Sequence, residues 1–195
     1  QGITLNHIAL NNPNFNMEGT LDWQWQGKES TSYIGQIQVP NVADLFEGFN
    51  RPAALTSQQA QAELALSWQG NPSDLTLDKL NGELSIELDK GRVLQLNRAL
   101  NLSRILGILD SDNFKKRLKF DFSDITQKGL AYDEIRFQAN VYQGNMDNSL
   151  VFKSPSLQAQ AQGVVNLPKN TIDELLQVSV PMVSVVPYAA AFVAG

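Results

Sequence analysis

The sequence contains no cysteine and only one histidine, His7. The absence of cysteine excludes disulfide bonds, thiolate metal sites and cysteine nucleophiles, although it does not by itself identify a cellular compartment. One histidine is too few for a histidine metal cluster within the chain, and we expect His7 to have a structural or incidental role. Metal centres built from cysteine or from several histidines are therefore excluded, and no cofactor is expected.

Charged residues are also scarce, at 18% of the 195 residues, and the formal net charge is −5. Neutralising the phosphates of a nucleic acid requires a basic surface, so nucleic acid is not expected as a partner. A hydrophobic content of 43% is ordinary for a folded protein and argues against disorder. We predict a single β-rich domain spanning residues 1–195. Because the chain begins with Gln1 and ends in an apolar run, we expect it to be excised from a longer one.

Most of the chain alternates between apolar and polar residues. Met17, Gly19, Leu21, Trp23 and Trp25 are each followed by a polar residue, which is typical of a strand with one buried face. The same alternation recurs at 33–39, 60–68, 83–89, 134–141 and 157–162. Short segments rich in glycine, asparagine and proline separate these runs. The pattern predicts a mainly β fold, with eight to eleven strands in a long antiparallel meander and one covered face.

Three further local features belong to the first half of the chain. Asn41 is predicted to cap a short amphipathic helix. Leu75 and Leu77 are predicted to begin another strand, and Lys90-Gly91 to form a tight turn. The apolar side of the predicted helix is Val42, Leu45, Phe46 and Phe49.

A second helical stretch interrupts the strands at about 97–118. Its apolar residues have the i, i+3, i+4, i+7 spacing of an amphipathic helix, followed by a short segment around Phe114. Four cations then crowd into five positions. The apolar stripe is Leu102, Ile105, Leu106 and Leu109, and the cations are Lys115, Lys116, Arg117 and Lys119.

The apolar tail at about 178–195 carries no charge over 18 residues. Such a length would suggest a membrane helix, but Pro181 and Pro187 divide it into pieces too short for a clean span. One interpretation is a final strand from Ile172 to Val180 followed by an apolar segment packed on the sheet. The other is a segment that lies on or partly in a membrane.

The insert and its flanks resemble a known family. The segments GELSIELDKGRVLQLN (82–97), RILGILD (104–110), KRLKFDFSDITQKGLAYDEI (116–135) and SPSLQAQAQGVVNL (154–167) are similar to the C-terminal region of the large AsmA-like envelope proteins of the YhdP branch, relatives of TamB. The motif FDFSD followed by Gly129 and the Tyr132-Asp133 pair is its most specific part. The likeness continues into the tail with its two prolines, so it covers well over half of the chain.

The resemblance implies a parent protein anchored in the inner membrane of a Gram-negative cell and crossing the periplasm as a long, open, groove-like sheet. Such proteins are implicated in moving phospholipids to the outer membrane. This chain would then be the end that faces the outer membrane or an outer-membrane partner. The resemblance supplies no catalytic residues, and the chain is not expected to be an enzyme.

A sheet with one apolar face must cover that face, because leaving it in water costs about 25 cal/mol per Å². A curved half-barrel, or β-taco, whose groove is filled by acyl chains is one solution. An ordinary core closed by the two helical segments is the other, since alternation reports burial without identifying what does the burying. The groove candidates are Trp23, Trp25, Leu64, Leu66, Trp68, Leu84, Ile86, Leu88, Ile135, Phe137 and Val141.

The insert has equally open interpretations. Its apolar stripe, with Phe114, forms a lid on the sheet or a helix on a membrane surface. The four cations at 115–119 contact anionic head groups or are simply solvated.

Two other functions are alternatives to lipid transport. The first is a structural or docking module that uses the exposed edges of the sheet without transferring lipid. The second is a hydrolase built on Asp121, Asp124, Asp133 and Glu134, which we do not expect because no histidine or nucleophile accompanies these acids.

Overall fold

The computed structural model describes residues 1–94 and 129–179. In this part of the chain, nine strands pair in sequence order into one antiparallel sheet that is curled but not closed, with one short α-helix. The strands are β1 (Gly2–Asn12), β2 (Phe15–Gln24), β3 (Ser30–Val39), β4 (Leu55–Gln69), β5 (Asn81–Val93), β6 (Leu130–Tyr142), β7 (Asn145–Lys153), β8 (Gln158–Asn166) and β9 (Thr171–Ser179). The helix α1 spans Val42–Gly48 and a 3-10 turn spans Pro72–Asp74. The predicted antiparallel meander is confirmed.

The register keeps apolar residues in line across the sheet. Leu64 of β4 lies opposite Leu84 of β5, which in turn lies opposite Ala139 of β6. Because side chains alternate along a strand, this alignment gives the sheet two chemically different sides. We call the side that carries Leu64 and Leu84 the apolar face, and the opposite side, with Glu63 and Glu83, the polar face.

The predicted tight turn at Lys90-Gly91 is wrong. β5 continues through both residues to Val93, and the pairing with β4 and β6 skips only Lys90, whose φ is 44°. The Ser57 hydroxyl lies 2.8 Å from the carbonyl oxygen of Asp89 at this point and helps to hold the irregular pairing. A local turn signal is overridden here because partners on both sides keep the strand extended.

The predicted helix after Asn41 is confirmed, with one exception. The side chain of Asn41 accepts a hydrogen bond from the backbone N–H of Ala43 at 3.0 Å, which caps the first turn. Val42 packs in a buried cluster with Val39 and Ala60, so α1 covers the start of β4 on the apolar face. Phe49 lies after the last helical residue and is 68% exposed, so it does not belong to the apolar side.

Leu75 and Leu77 do not begin a strand. They follow the 3-10 turn, where Asn71 and Asp74 form a reciprocal capping box, and both side chains are exposed. The strand that pairs with β4 begins later, at Asn81. Two apolar residues with the spacing of a strand do not form one where a capped turn fixes the backbone.

Two predicted segments lie outside the described residues: the helical insert at 97–118 and the apolar tail beyond Ser179. Residues 95–128 connect β5 to β6, and residues 180–195 follow β9. Both segments adjoin the same end of the sheet, because β5 ends, β6 begins and β9 ends there. The helix α1 connects β3 to β4 at this end as well. Among residues 1–94 and 129–179, no helix is sufficiently long and apolar to cross a membrane.

Candidate functional site

The groove candidates share one side of the sheet, apart from Trp25. Trp25 follows the last residue of β2 and is exposed, so its predicted place in the strand alternation is wrong. Its ring packs against that of Trp23, with centroids 4.9 Å apart. The candidates on the apolar face are Trp23, Leu64, Leu66, Trp68, Leu84, Ile86, Leu88, Ile135, Phe137 and Val141.

Burial divides these candidates into two groups. Trp68, Phe137 and Val141 are 5 to 7% exposed and belong to the interior. The other candidates on the apolar face are half-buried. Within the described residues no second sheet covers this face, and α1 packs only near the Val39 and Ala60 cluster.

Two tryptophans have structural partners at the end of the sheet away from α1. The indole N–H of Trp68 donates to the carbonyl oxygen of Asn71 at 2.9 Å. The indole N–H of Trp23 donates to Oε1 of Glu29 at 3.0 Å. These bonds fix both rings against the connecting turns, so Trp23 and Trp68 help to hold this end of the sheet in place.

The apolar face is wider than the candidate set, and the structure adds residues from β2, β3 and β7 to β9. Their alternation was visible in the sequence, since each occupies the apolar phase of its strand. The added residues include Met17, Leu21, Tyr33, Ile37, Leu150, Phe152, Ile172, Leu176 and Val178.

Two polar residues on the apolar face are hydrogen-bonded to each other, and sequence reasoning missed both. Asn148 and Glu174 flank Gly163 in one register row, and the Asn148 amide donates to Oε1 of Glu174 at 3.1 Å. Burial raises the pKa of Glu174 to about 7, which the hydrogen bond from Asn148 only partly offsets. The signal in the sequence was an acid in the apolar phase of Ile172-Asp173-Glu174-Leu175-Leu176.

The polar face has a wide concavity of about 850 Å³ across β1 to β6. Glu18, Glu63 and Glu83 are among its lining residues, and no lysine or arginine is. Leu64 and Leu84 also border it, although their register places them in the apolar rows. The sequence did not predict this concavity, because curvature of a sheet is not encoded in alternation.

Elsewhere on the polar face, charged residues pair with each other across strands. Glu134 forms ion pairs with Arg136 and Lys153, and Arg136 also contacts Glu87 at 2.8 Å. The hydrogen bond from Lys153 lowers the pKa of Glu134. These groups are solvent-accessible, so the pairs add little stability. The described residues contain no cluster of acidic or histidine side chains arranged to hold a metal ion.

The sequence profile of the YhdP protein family matches residues 1–195. The chain belongs to the YhdP family. The resemblance read from the segments at 82–135 and 154–167 is thereby confirmed. The helical-lid candidates Leu102, Ile105, Leu106, Leu109 and Phe114, and the head-group candidates Lys115, Lys116, Arg117 and Lys119, lie outside the described residues.

The chain is also similar in sequence to the intermembrane phospholipid transporter YhdP of Escherichia coli (strain K12). It is 28% identical over 180 residues, which cover 89% of this chain but 14% of the relative. The chain therefore spans about one seventh of the length of that protein. No solved structure matches the chain.

Proposed function

We propose that this chain is part of an intermembrane phospholipid transporter and that its apolar face shields acyl chains. The observation that carries the proposal is a nine-stranded sheet whose apolar face has half-buried leucines and isoleucines and no second sheet over it among the described residues. Membership of the YhdP family supports the assignment, since the E. coli relative is named as a phospholipid transporter. Such a carrier needs no nucleophile, metal or general base.

Acyl chains are expected on the apolar face because exposing that face to water costs free energy. A half-buried leucine or isoleucine leaves tens of Å² in water, at about 25 cal/mol per Å². Acyl chains lying along Leu64, Leu84 and Ile86 would remove that area from water without requiring another protein layer. The phosphate groups of the phospholipids would remain in solvent at the rim of the sheet.

The end of the sheet that carries α1 is the proposed membrane-facing end. β5 ends, β6 begins and β9 ends there. The cationic residues at 115–119 and the apolar tail are therefore both attached to that end. We propose that these two segments contact the outer membrane or a partner in it. We further propose that the chain lies in the periplasm, as part of a longer protein that is anchored in the inner membrane.

The concavity on the polar face fits acyl chains poorly. Glu18, Glu63 and Glu83 would have to be desolvated by hydrocarbon, and the lining has no lysine or arginine to compensate them. In the described strands, the rows of the apolar face contain a single carboxylate, that of Glu174 near one edge. The proposal accordingly places lipid on the apolar face.

The structural alternative is docking through the sheet edge. In the described residues β1 pairs only with β2, and nearly every residue of β1 is exposed. An open edge of this kind can accept a further strand. A docking module would leave the apolar face without lipid, which separates the two functions experimentally.

The test is recovery of lipid from the purified 195-residue chain by solvent extraction and mass spectrometry. Leu64→Glu places a carboxylate on the apolar face, and Ala65→Glu places the same group on the polar face one residue away. We expect Leu64→Glu to remove most of the recovered phospholipid and Ala65→Glu to retain it, with circular dichroism reporting that both sheets are folded. Equal recovery from the two variants, or none from the unmodified chain, would contradict the proposal.

A further inference from the structure

The polar pair of Asn148 and Glu174 interrupts an otherwise hydrocarbon surface on β7 to β9. The two residues lie on either side of Gly163 in a single register row. Rows above and below it contain only apolar side chains. These rows are Met146, Val165 and Ile172; Leu150, Ala161 and Leu176; and Phe152, Ala159 and Val178.

Gly163 creates the space in which the pair meets. A Cβ at this position would overlap the carbonyl oxygen of Asp173 and approach Cγ of Glu174 to 2.7 Å. Without that atom, Glu174 on β9 reaches across β8 to the amide of Asn148 on β7. The same amide lies 3.4 Å from the carbonyl oxygen of Gly163.

Each member of the pair retains one buried oxygen without a partner. Asn148 is 7% exposed, and neither its Oδ1 nor Oε2 of Glu174 has a hydrogen bond within the described part of the chain. An amide oxygen and a carboxylate oxygen can only accept hydrogen bonds. Buried acceptors of this kind call for a donor, and the surroundings on β7 to β9 offer none.

We propose that Asn148 and Glu174 bind the primary ammonium group of an amphiphile, such as the aminoethyl head group of a phospholipid. The inference rests on the proposed function, because the apolar rows on either side would hold the acyl chains of the same molecule. A primary ammonium donates up to three hydrogen bonds and so can satisfy both oxygens. A quaternary trimethylammonium has no N–H and can satisfy neither.

Charge and position favour an ammonium over a neutral hydroxyl. The described residues supply no ion-pair partner for Glu174. β8 has no charged residue, and the neighbouring acids Asp147 and Asp173 belong to the polar face. Glu174 is half-buried on β9, which pairs only with β8 among the described strands, so a head group can approach over the rim.

Protonation of Glu174 competes with this ligand. Burial raises the pKa of Glu174 to about 7, so near neutral pH the carboxyl is partly protonated and carries its own donor. The ammonium binds the ionised form, and its affinity is therefore higher at pH 8 than at pH 6. The titratable groups on the strands packed beside Glu174 are Asp147, Lys153 and Asp173, all of which lie in polar-face rows.

The experiment compares lysophosphatidylethanolamine with lysophosphatidylcholine of the same acyl chain, both below their micelle concentrations. These probes differ only by three methyl groups on nitrogen. We expect the ethanolamine form to bind the 195-residue chain about tenfold more tightly at pH 8, the effect of one charge-assisted hydrogen bond. We expect the preference to shrink severalfold at pH 6, because the choline form has the same charge but no N–H and loses less affinity than the ethanolamine form.

Glu174→Gln and Glu83→Gln form a matched pair of variants, each losing one carboxylate, on the apolar and polar faces respectively. Glu174→Gln is expected to abolish the tenfold preference and its pH dependence, because it weakens lysophosphatidylethanolamine more than lysophosphatidylcholine. Glu83→Gln is expected to keep the preference and its pH dependence. Equal binding of the two probes by the unmodified chain would overturn this inference and leave the proposed function standing. Failure of both probes to bind would instead overturn the proposed function.

Discussion

The hydroxyl of Tyr132 on β6 donates a hydrogen bond to the carbonyl oxygen of Thr56 on β4 at 2.7 Å, across the intervening strand β5. The ring of Tyr132 lies over Gly91, where a Cβ would come within 2.6 Å of the hydroxyl oxygen. Burial raises the pKa of Tyr132, as expected for a phenol held in the interior. This contact joins three strands beside the irregular pairing at Lys90.

Tyr132→Phe should destabilise the chain by about 1 to 2 kcal/mol, because the partly buried carbonyl of Thr56 loses its side-chain partner while the ring stays in place. Urea unfolding followed by circular dichroism measures the change. Tyr142→Phe is the matched control, since Tyr142 ends the same strand but is 68% exposed. Equal effects of the two substitutions would argue against the role assigned to the hydroxyl.

Glu174→Gln should change how stability depends on pH. A carboxyl whose pKa is raised from 4.5 to about 7 on folding contributes stability below pH 4.5, and this contribution is lost as pH rises through 7. After allowance for its half-exposed position, the loss is about 1 to 2 kcal/mol. The variant should therefore be more stable than the unmodified chain at pH 8 and similar at pH 4.5.

Urea midpoints at several pH values between 4 and 8 measure this slope, with Glu83→Gln expected to follow the unmodified chain. A Glu174→Gln profile parallel to that of the unmodified chain would show that the carboxyl titrates as it does in water.

Asn41→Ala should destabilise the chain by about 1 kcal/mol, because the N–H of Ala43 at the start of α1 loses its acceptor. The loss should be confined to α1 and its contact with Val39 and Ala60. Hydrogen exchange resolves it, with faster exchange expected in α1 and unchanged protection in β7 and β8. Uniformly faster exchange over all nine strands would contradict a local cap.

Phe137 and Ile86 pair directly across β5 and β6 but should respond differently to truncation. Phe137 is 5% exposed in a buried cluster with Val141 and Val165, so Phe137→Ala should cost about 3 to 5 kcal/mol. Ile86 is only half-buried, and Ile86→Ala should cost distinctly less. Denaturant unfolding of both variants checks the ranking. Equal costs would indicate that Ile86 is as fully enclosed as Phe137.

The meander was predictable because alternation over many strands reports which side each residue faces, and pairing in sequence order is the simplest way to join them. Sequence reasoning failed where local geometry overrides spacing. Leu75 and Leu77 follow a capped 3-10 turn, and Trp25 lies past the end of β2. Pairing with both neighbouring strands continues β5 past Lys90.

The candidate site was predicted only in part. Residues such as Leu64 and Leu84 could be assigned to one face, because their position in the alternation of each strand identifies the side that they face. The meeting of Asn148 with Glu174 across Gly163 depends on the register of three strands, which alternation does not define. The concavity on the polar face depends on the curl of the sheet, for which the sequence offered no signal.

The central claim is that hydrocarbon chains occupy the apolar face and not the polar concavity. Because the chain lacks cysteine, Ile86→Cys and Glu83→Cys can each carry a single environment-sensitive fluorophore on opposite faces of β5, and only Glu83 lines the polar concavity. On addition of phospholipid, we predict a blue shift of emission for the label at 86 and none for the label at 83. A shift at 83 alone, or equal shifts at both positions, would contradict the account.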